Sequence, residues 1–110
     1  MALLDLNGFK QVNDTLGHEA GDRLLRRAAE AWQAQLRGSD VLARIGGDEF
    51  GVLLPDCDPA DMAAIAQRLR GALGDGPGCA IGTALWTRGE SPEALLRRAD
   101  GALYADKKRI

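Results

Sequence analysis

The sequence predicts an α+β domain, an antiparallel sheet with helices packed on it, and three observations predict it. Short apolar runs end in turn residues, longer stretches carry apolar side chains at helical spacing, and the two kinds of segment are interspersed along the chain. At 110 residues the chain makes one domain. A domain of this size buries roughly 65% of the surface its unfolded chain exposes, enough for a single core.

Residues 1–6, MALLDL, form an apolar run broken by one acid and followed by Asn7-Gly8, the pattern of a buried strand ending in a turn, with Asp5 near its C-terminal end. A short helix follows from Phe9 to Leu16, stopped by Gly17. From Asp22 to Arg37 the positions Leu25, Ala28, Ala29, Trp32 and Leu36 recur at helical spacing, opposite Arg23, Arg27, Glu30 and Gln33. The segment DVLARIGGDEFGVLLP has β-compatible residues on both sides of Gly46-Gly47, glycines able to supply the positive φ of a tight turn, and reads as a hairpin. Asp58-Pro59-Ala60-Asp61 opens a helix whose apolar face is Met62, Ile65, Leu69 and Leu73, and which stops in GDGPG, residues 74–78. Residues 79–86, CAIGTALW, read as another strand, and Ser91-Pro92-Glu93 opens a last helix carrying Leu95, Leu96, Ala99 and Leu103. The resulting order is close to a ferredoxin-like β-α-β-β-α-β layout with helices on one face of the sheet. The first strand and the hairpin can then lie side by side, bringing Asp5 to the same end as Asp48 and Glu49.

Composition excludes several functions. Hydrophobic residues make up 45% and charged residues 27%, and a net charge of -2 with interspersed signs argues against a broad nucleic-acid surface or a disordered tail. Cys57 and Cys79 lack zinc-site spacing, and no stretch has the length of a membrane span or the form of a signal peptide. The expectation is a reduced, cytoplasmic, soluble protein.

The adjacent acids of RIGGDEF, residues 44–50, need a reason. Two unit charges about 4 Å apart repel by about 4 kcal/mol at an effective dielectric near 20. A hard divalent cation offsets that with carboxylate and carbonyl oxygens and leaves positions open for phosphates. Acids at a solvated hairpin tip that only aid solubility are the alternative.

Beyond that turn, DLNGFKQVNDTLGHEAGD (residues 5–22), RIGGDEF and the C-terminal LLRRADGALYADK resemble the GGDEF family, diguanylate cyclases that make cyclic di-GMP from GTP. The resemblance implies a nucleotidyl-cyclase palm core in which Asp5, Asp48 and the backbone carbonyl of Leu6 hold two Mg²⁺ (or Mn²⁺) ions, with Glu49 beside them and Asp48 and Glu49 as the catalytic residues. Asn13 and Asp22 match the guanine readers, and a carboxylate suits guanine N1–H and its exocyclic amine. Taken alone, Asn13 is equally a turn residue and Asp22 a helix N-cap. His18 is a further guanine-side candidate, or a capping residue. Lys10 and Lys107 match positions that meet the triphosphate, and each is otherwise an ordinary solvated lysine. Arg37 and Asp40 match the family's RxxD inhibitory motif, with Arg68 joining them, a site for the product cyclic di-GMP. On its own, Arg37 is also favoured at a helix C-terminus by the helix dipole.

The resemblance also leads one to expect that this is a GGDEF domain over 1–110 lacking the family's N-terminal segment and the Gly-Arg after its last helix. Asn7 and Gly8 replace a more usual acid and aromatic. Each family site holds one GTP, so catalysis implies a homodimer, and an upstream sensor or regulatory domain lies outside this sequence. A non-catalytic cyclic di-GMP receptor or partner-docking module is the competing reading, and an unrelated palm-like nucleotidyltransferase a third.

Overall fold

The computed structural model describes residues 1–74 and 78–108. Strand β1 (Ala2–Leu6) is followed by helices α1 (Phe9–Leu16) and α2 (His18–Gln33), and then by the hairpin β2 (Val41–Gly46) and β3 (Glu49–Leu53). Helix α3 (Pro59–Gly71), strand β4 (Cys79–Thr83) and helix α4 (Pro92–Lys107) complete the order. The sheet runs β2-β3-β1-β4 with every neighbouring pair antiparallel, which is the ferredoxin-like topology expected from the element order. No helix among the described residues is long and apolar enough to cross a membrane.

Helices cover both faces of the sheet, not one. Every residue of β1 is buried, so this central strand has two apolar faces and needs two covers. On one face Leu4, Leu6, Phe50, Val52 and Ile81 pack against Leu25, Ala28 and Trp32 of α2 and Met62, Ile65 and Leu69 of α3. Trp32 is fully buried, meets Phe50 edge-on with ring centroids 5.1 Å apart, and donates its indole N–H to the carbonyl of Leu69 at 3.2 Å. On the other face Leu3, Ala80 and Ala84 receive Ala99 and Leu103 of α4. Gly82 makes that approach possible, because a methyl there would lie 2.2 Å from the backbone nitrogen of Leu103.

Several boundaries differ from the sequence expectation. Helix α2 starts at His18 because Gly17, at φ 91, turns the chain directly from α1 into α2. It ends at Gln33, after which Gln35 and Leu36 continue in tight turns bonded to Trp32 and Gln33. Strand β4 stops at Thr83, and the exposed Trp86 bonds the carbonyl of Glu90 instead of extending the strand. In the hairpin only Gly47 takes a positive φ, while Gly46 joins β2 beside a register shift. Leu96 faces solvent, because α4 turns Ala99 and Leu103 to the sheet. The expected caps form: Asp58 accepts from the N–H of Asp61 at 2.8 Å and Ser91 from that of Ala94 at 3.1 Å. Asp75, Gly76 and Pro77, within the expected stop of α3, lie outside the described residues.

Candidate functional site

Register builds the acidic centre. Asp5 stands opposite Glu49 across the β1–β3 ladder, on the face that α4 covers. The backbone N–H of Leu6 donates to the carbonyl of Asp48 at 3.3 Å, tying the end of β1 to the hairpin turn. Asp5 is buried, and Asp48 and Glu49 are half-buried. Partial burial, the hydrogen bond with Asp5 and the repulsion of that charge together push the Asp48 carboxyl above the ordinary aspartate range. Glu49 is also raised, by burial and then by the charges of Asp100 and Asp5.

Lys107, in the last turn of α4, closes the centre from above the sheet. Its ammonium pairs with Oδ2 of Asp5, and this contact holds it more strongly protonated than an ordinary lysine. One lysine therefore faces several carboxylates, an arrangement that accepts further positive charge. Among the described residues no three His, Cys, Asp or Glu side chains converge into a metal-holding group. The donor set is instead a carboxylate pair, which fits an ion that completes its shell with water, a backbone carbonyl and substrate phosphates.

The α1–α2 turn carries the second group. Asn13 lays its carboxamide against the bare backbone of Gly21: a methyl at Gly21 would fall 1.8 Å from its Oδ1. Asp22, the next residue, is exposed within α2 and so is not its N-cap. His18 opens the same helix and is exposed, as is Lys10 on α1.

Arg37, Asp40 and Arg68 gather at the far end of the hairpin. Arg37 lies in the loop past α2, not at a helix terminus, and grips Asp40 through Nη2 at 2.8 Å, Nε at 3.1 Å and its backbone N–H at 2.7 Å. It also donates to the carbonyl of Pro55 at 2.8 Å. These bonds hold the buried Asp40 carboxyl below its usual range, with a smaller contribution from the charge of Arg68. Arg68 itself reaches the carbonyl of Gln35 at 3.4 Å. Six residues of β2 at about 3.3 Å each put roughly 20 Å between this cluster and the acidic centre.

Sequence reasoning missed Asp100, which faces Glu49, and the contact of Asp106 with Arg70 and Ile81. For both, only the register of α4 on the sheet brings the partners together. The glycine inside CAIGT was the available signal for that close packing.

Fold and site together define a ferredoxin-like domain with an acidic, lysine-capped strand end. The family model "Diguanylate cyclase, GGDEF domain" matches residues 1–110, and the chain belongs to that family. It is 38% identical over 118 residues to the response regulator PleD of Caulobacter vibrioides, covering 96% of this chain and 26% of PleD. The GGDEF domain of PA1120 (YfiN or TpbB) of Pseudomonas aeruginosa superposes with a TM-score of 0.92 at 39% identity, over 99% of this chain and 75% of that one. The GGDEF domain of DgcB of Caulobacter crescentus, solved in complex with c-di-GMP, gives 0.90 at 30% identity over 98% and 71%. The chain spans about a quarter of PleD and 7% of DgcE of Escherichia coli, to which it is 53% identical over 75 residues.

Proposed function

We propose that this domain condenses two GTP into cyclic di-GMP. The observation that carries the reading is the pairing of Asp5 with Asp48, beside Glu49, at one strand end under Lys107. In each half-reaction the 3′-oxygen of one GTP bonds to the α-phosphorus of the other, the α–β bridging P–O bond breaks and pyrophosphate leaves. Two such steps close the ring, so two GTP yield one cyclic dinucleotide and two pyrophosphates. Asp5, Asp48 and the Leu6 carbonyl would hold two Mg²⁺ or Mn²⁺ ions, which supply Lewis acidity toward the 3′-hydroxyl and the triphosphate. Glu49, made more basic by burial and by Asp100, takes the hydroxyl proton. Lys107 and Lys10 meet the phosphates, while Asn13 and Asp22 read guanine, with His18 at the same turn. A carboxylate pairs with guanine N1–H and its exocyclic amine, which adenine cannot match, so the site favours GTP over ATP. Because each site holds one GTP, two copies must face each other, brought together by a regulatory segment outside this sequence.

A second reading has its own observation. The Arg37–Asp40 fork is built without any contribution from the acidic centre, so it can bind cyclic di-GMP in a chain that does not make it. In the first reading, product bound there with Arg68 restrains synthesis. The test is incubation of the chain with GTP and Mg²⁺ at several protein concentrations, with chromatographic analysis. Cyclic di-GMP rising steeply with protein concentration is the expected result; no product, with added cyclic di-GMP still bound, favours the receptor. Asp48→Ala is expected to abolish synthesis and leave that binding intact, and loss of both would refute the two-site assignment.

A further inference from the structure

The last turn of a helix is where it frays, since its final four carbonyls lack intrahelical partners. Lys107 is the final residue of α4, one full turn beyond the tight packing of Leu103 on Gly82. Something must hold that turn if the ammonium is to stay at Asp5. The residue before it does so: Asp106 is buried, and its Oδ2 accepts the backbone N–H of Ile81 at 2.8 Å and Nη1 of Arg70 at 3.1 Å. Strand β4 is an outer strand of the sheet, so the carboxylate occupies an edge position that no strand fills. One side chain thus ties α4 to β4 and, through Arg70, to α3.

We infer that Arg70 and Asp106 are positioning residues that pin the end of α4 to the sheet edge and thereby hold Lys107 over Asp5. Adjacent helical residues point about 100° apart, so a pinned Asp106 fixes the direction in which Lys107 leaves the helix. The clamp lies on the sheet edge, and these side-chain bonds go to neither Asp5 nor the Lys107 ammonium. The inference rests on the reading of Lys107 as a triphosphate contact only for its consequence in binding.

The test is a double-mutant cycle in urea, with Asp5→Asn and Lys107→Met made in the parent chain and again with Arg70→Met. A pair of this exposure should show a coupling of about threefold in the unfolding constant. That coupling is expected to fall with Arg70→Met and return with Arg70→Lys, and to vanish with Asp106→Ala, which also removes the bond to Ile81, whereas general destabilisation would leave it unchanged. A coupling unchanged by both Arg70→Met and Asp106→Ala, or absent from the parent, overturns the inference. Titration with a non-hydrolysable GTP analogue and Mg²⁺ gives the second readout. Lys107→Met and Arg70→Met should each weaken binding about tenfold, and together no more than Lys107→Met alone; additive losses overturn the positioning role. A parent chain that binds no analogue but shows the expected coupling refutes the triphosphate reading and leaves the clamp standing.

Discussion

Replacing Gly82 by alanine tests how α4 is seated. The added methyl would lie 2.2 Å from the nitrogen and 2.6 Å from the Cα of Leu103, and 2.4 Å from the carbonyl oxygen of Ala99. All three are backbone atoms, so no rotamer change relieves the clash, and contact at about 3.5 Å requires the helix to retreat by roughly 1 Å or more. That retreat loosens Ala99 and Leu103 from Leu3, Ala80 and Ala84. Overpacking of this kind costs about 1–3 kcal/mol, and the rigidity of the obstacle puts the expectation at about 3 kcal/mol, or roughly 10 °C in Tm. Gly101, on the same helix with open space around it, is the control. Gly101→Ala should stabilise by up to about 1 kcal/mol, because glycine is a poor residue for a helix interior. Urea and thermal unfolding measure both. Two substitutions that shift stability in the same direction by similar amounts would refute the seating of α4 on Gly82.

Asp48→Asn, in Mg²⁺-free buffer, should raise the unfolding free energy measured in urea by about 0.5 kcal/mol near neutral pH, because it removes a charge that burial disfavours and Asp5 repels. The folded pKa of Asp48 is raised, so its ionisation costs stability as pH climbs from 3.8 through the raised value; the advantage of the asparagine should disappear below pH 3.8. Arg37→Gln should destabilise the chain through the lost grip on Asp40. Here the folded pKa is lowered, so the stability Asp40 contributes is full above 3.8 and lost as pH falls through the lower folded value, and urea midpoints across that window should converge for the two proteins. Burial pushes the Cys79 thiol up to about 11, so a thiol reagent should label Cys57 in the native chain and reach Cys79 only on unfolding.

Local signals made most of the fold legible. Asp58-Pro59 and Ser91-Pro92 announce helix starts through chemistry confined to four residues, and both caps form as expected. The acids at the ends of β1 and β3 were placed together by topology alone, and the ladder sets Asp5 against Glu49. Apolar periodicity starts only where a helix meets the core, so the pattern from Asp22 onward does not include the His18–Gly21 turn that opens α2. The second covered face was missed for a different reason. Alternation cannot reveal it in a strand that is apolar on both faces up to Asp5, and the small residues Ala80 and Gly82 that admit α4 carry little hydrophobic signal. Likewise, contacts such as Asp5 with Lys107 join residues a hundred positions apart and exist only at one register of one helix.

Charge at the acidic centre shows why that register matters. Asp5, Asp48 and Glu49 share one strand end with Asp100 nearby, and Lys107 is the cation that faces them. A partly exposed ion pair contributes about 1 kcal/mol at most, and Lys107 is set against the charges of Asp5, Asp48 and Glu49 together. The lysine therefore does not offset the acids, and burial first, then the neighbouring negative charges, leave Asp48 and Glu49 raised. A site tuned for the stability of the free chain would lose one acid or gain a second base. Keeping the acids with Lys107 as, among the described residues, the ammonium paired to them leaves the centre attractive to any ligand that brings positive charge, and leaves Lys107 able to exchange a carboxylate for a phosphate. The same imbalance makes the centre costly to fold, so the cost has to be borne by the packing around it: the doubly covered β1, the indole of Trp32 and the seat of α4 on Gly82.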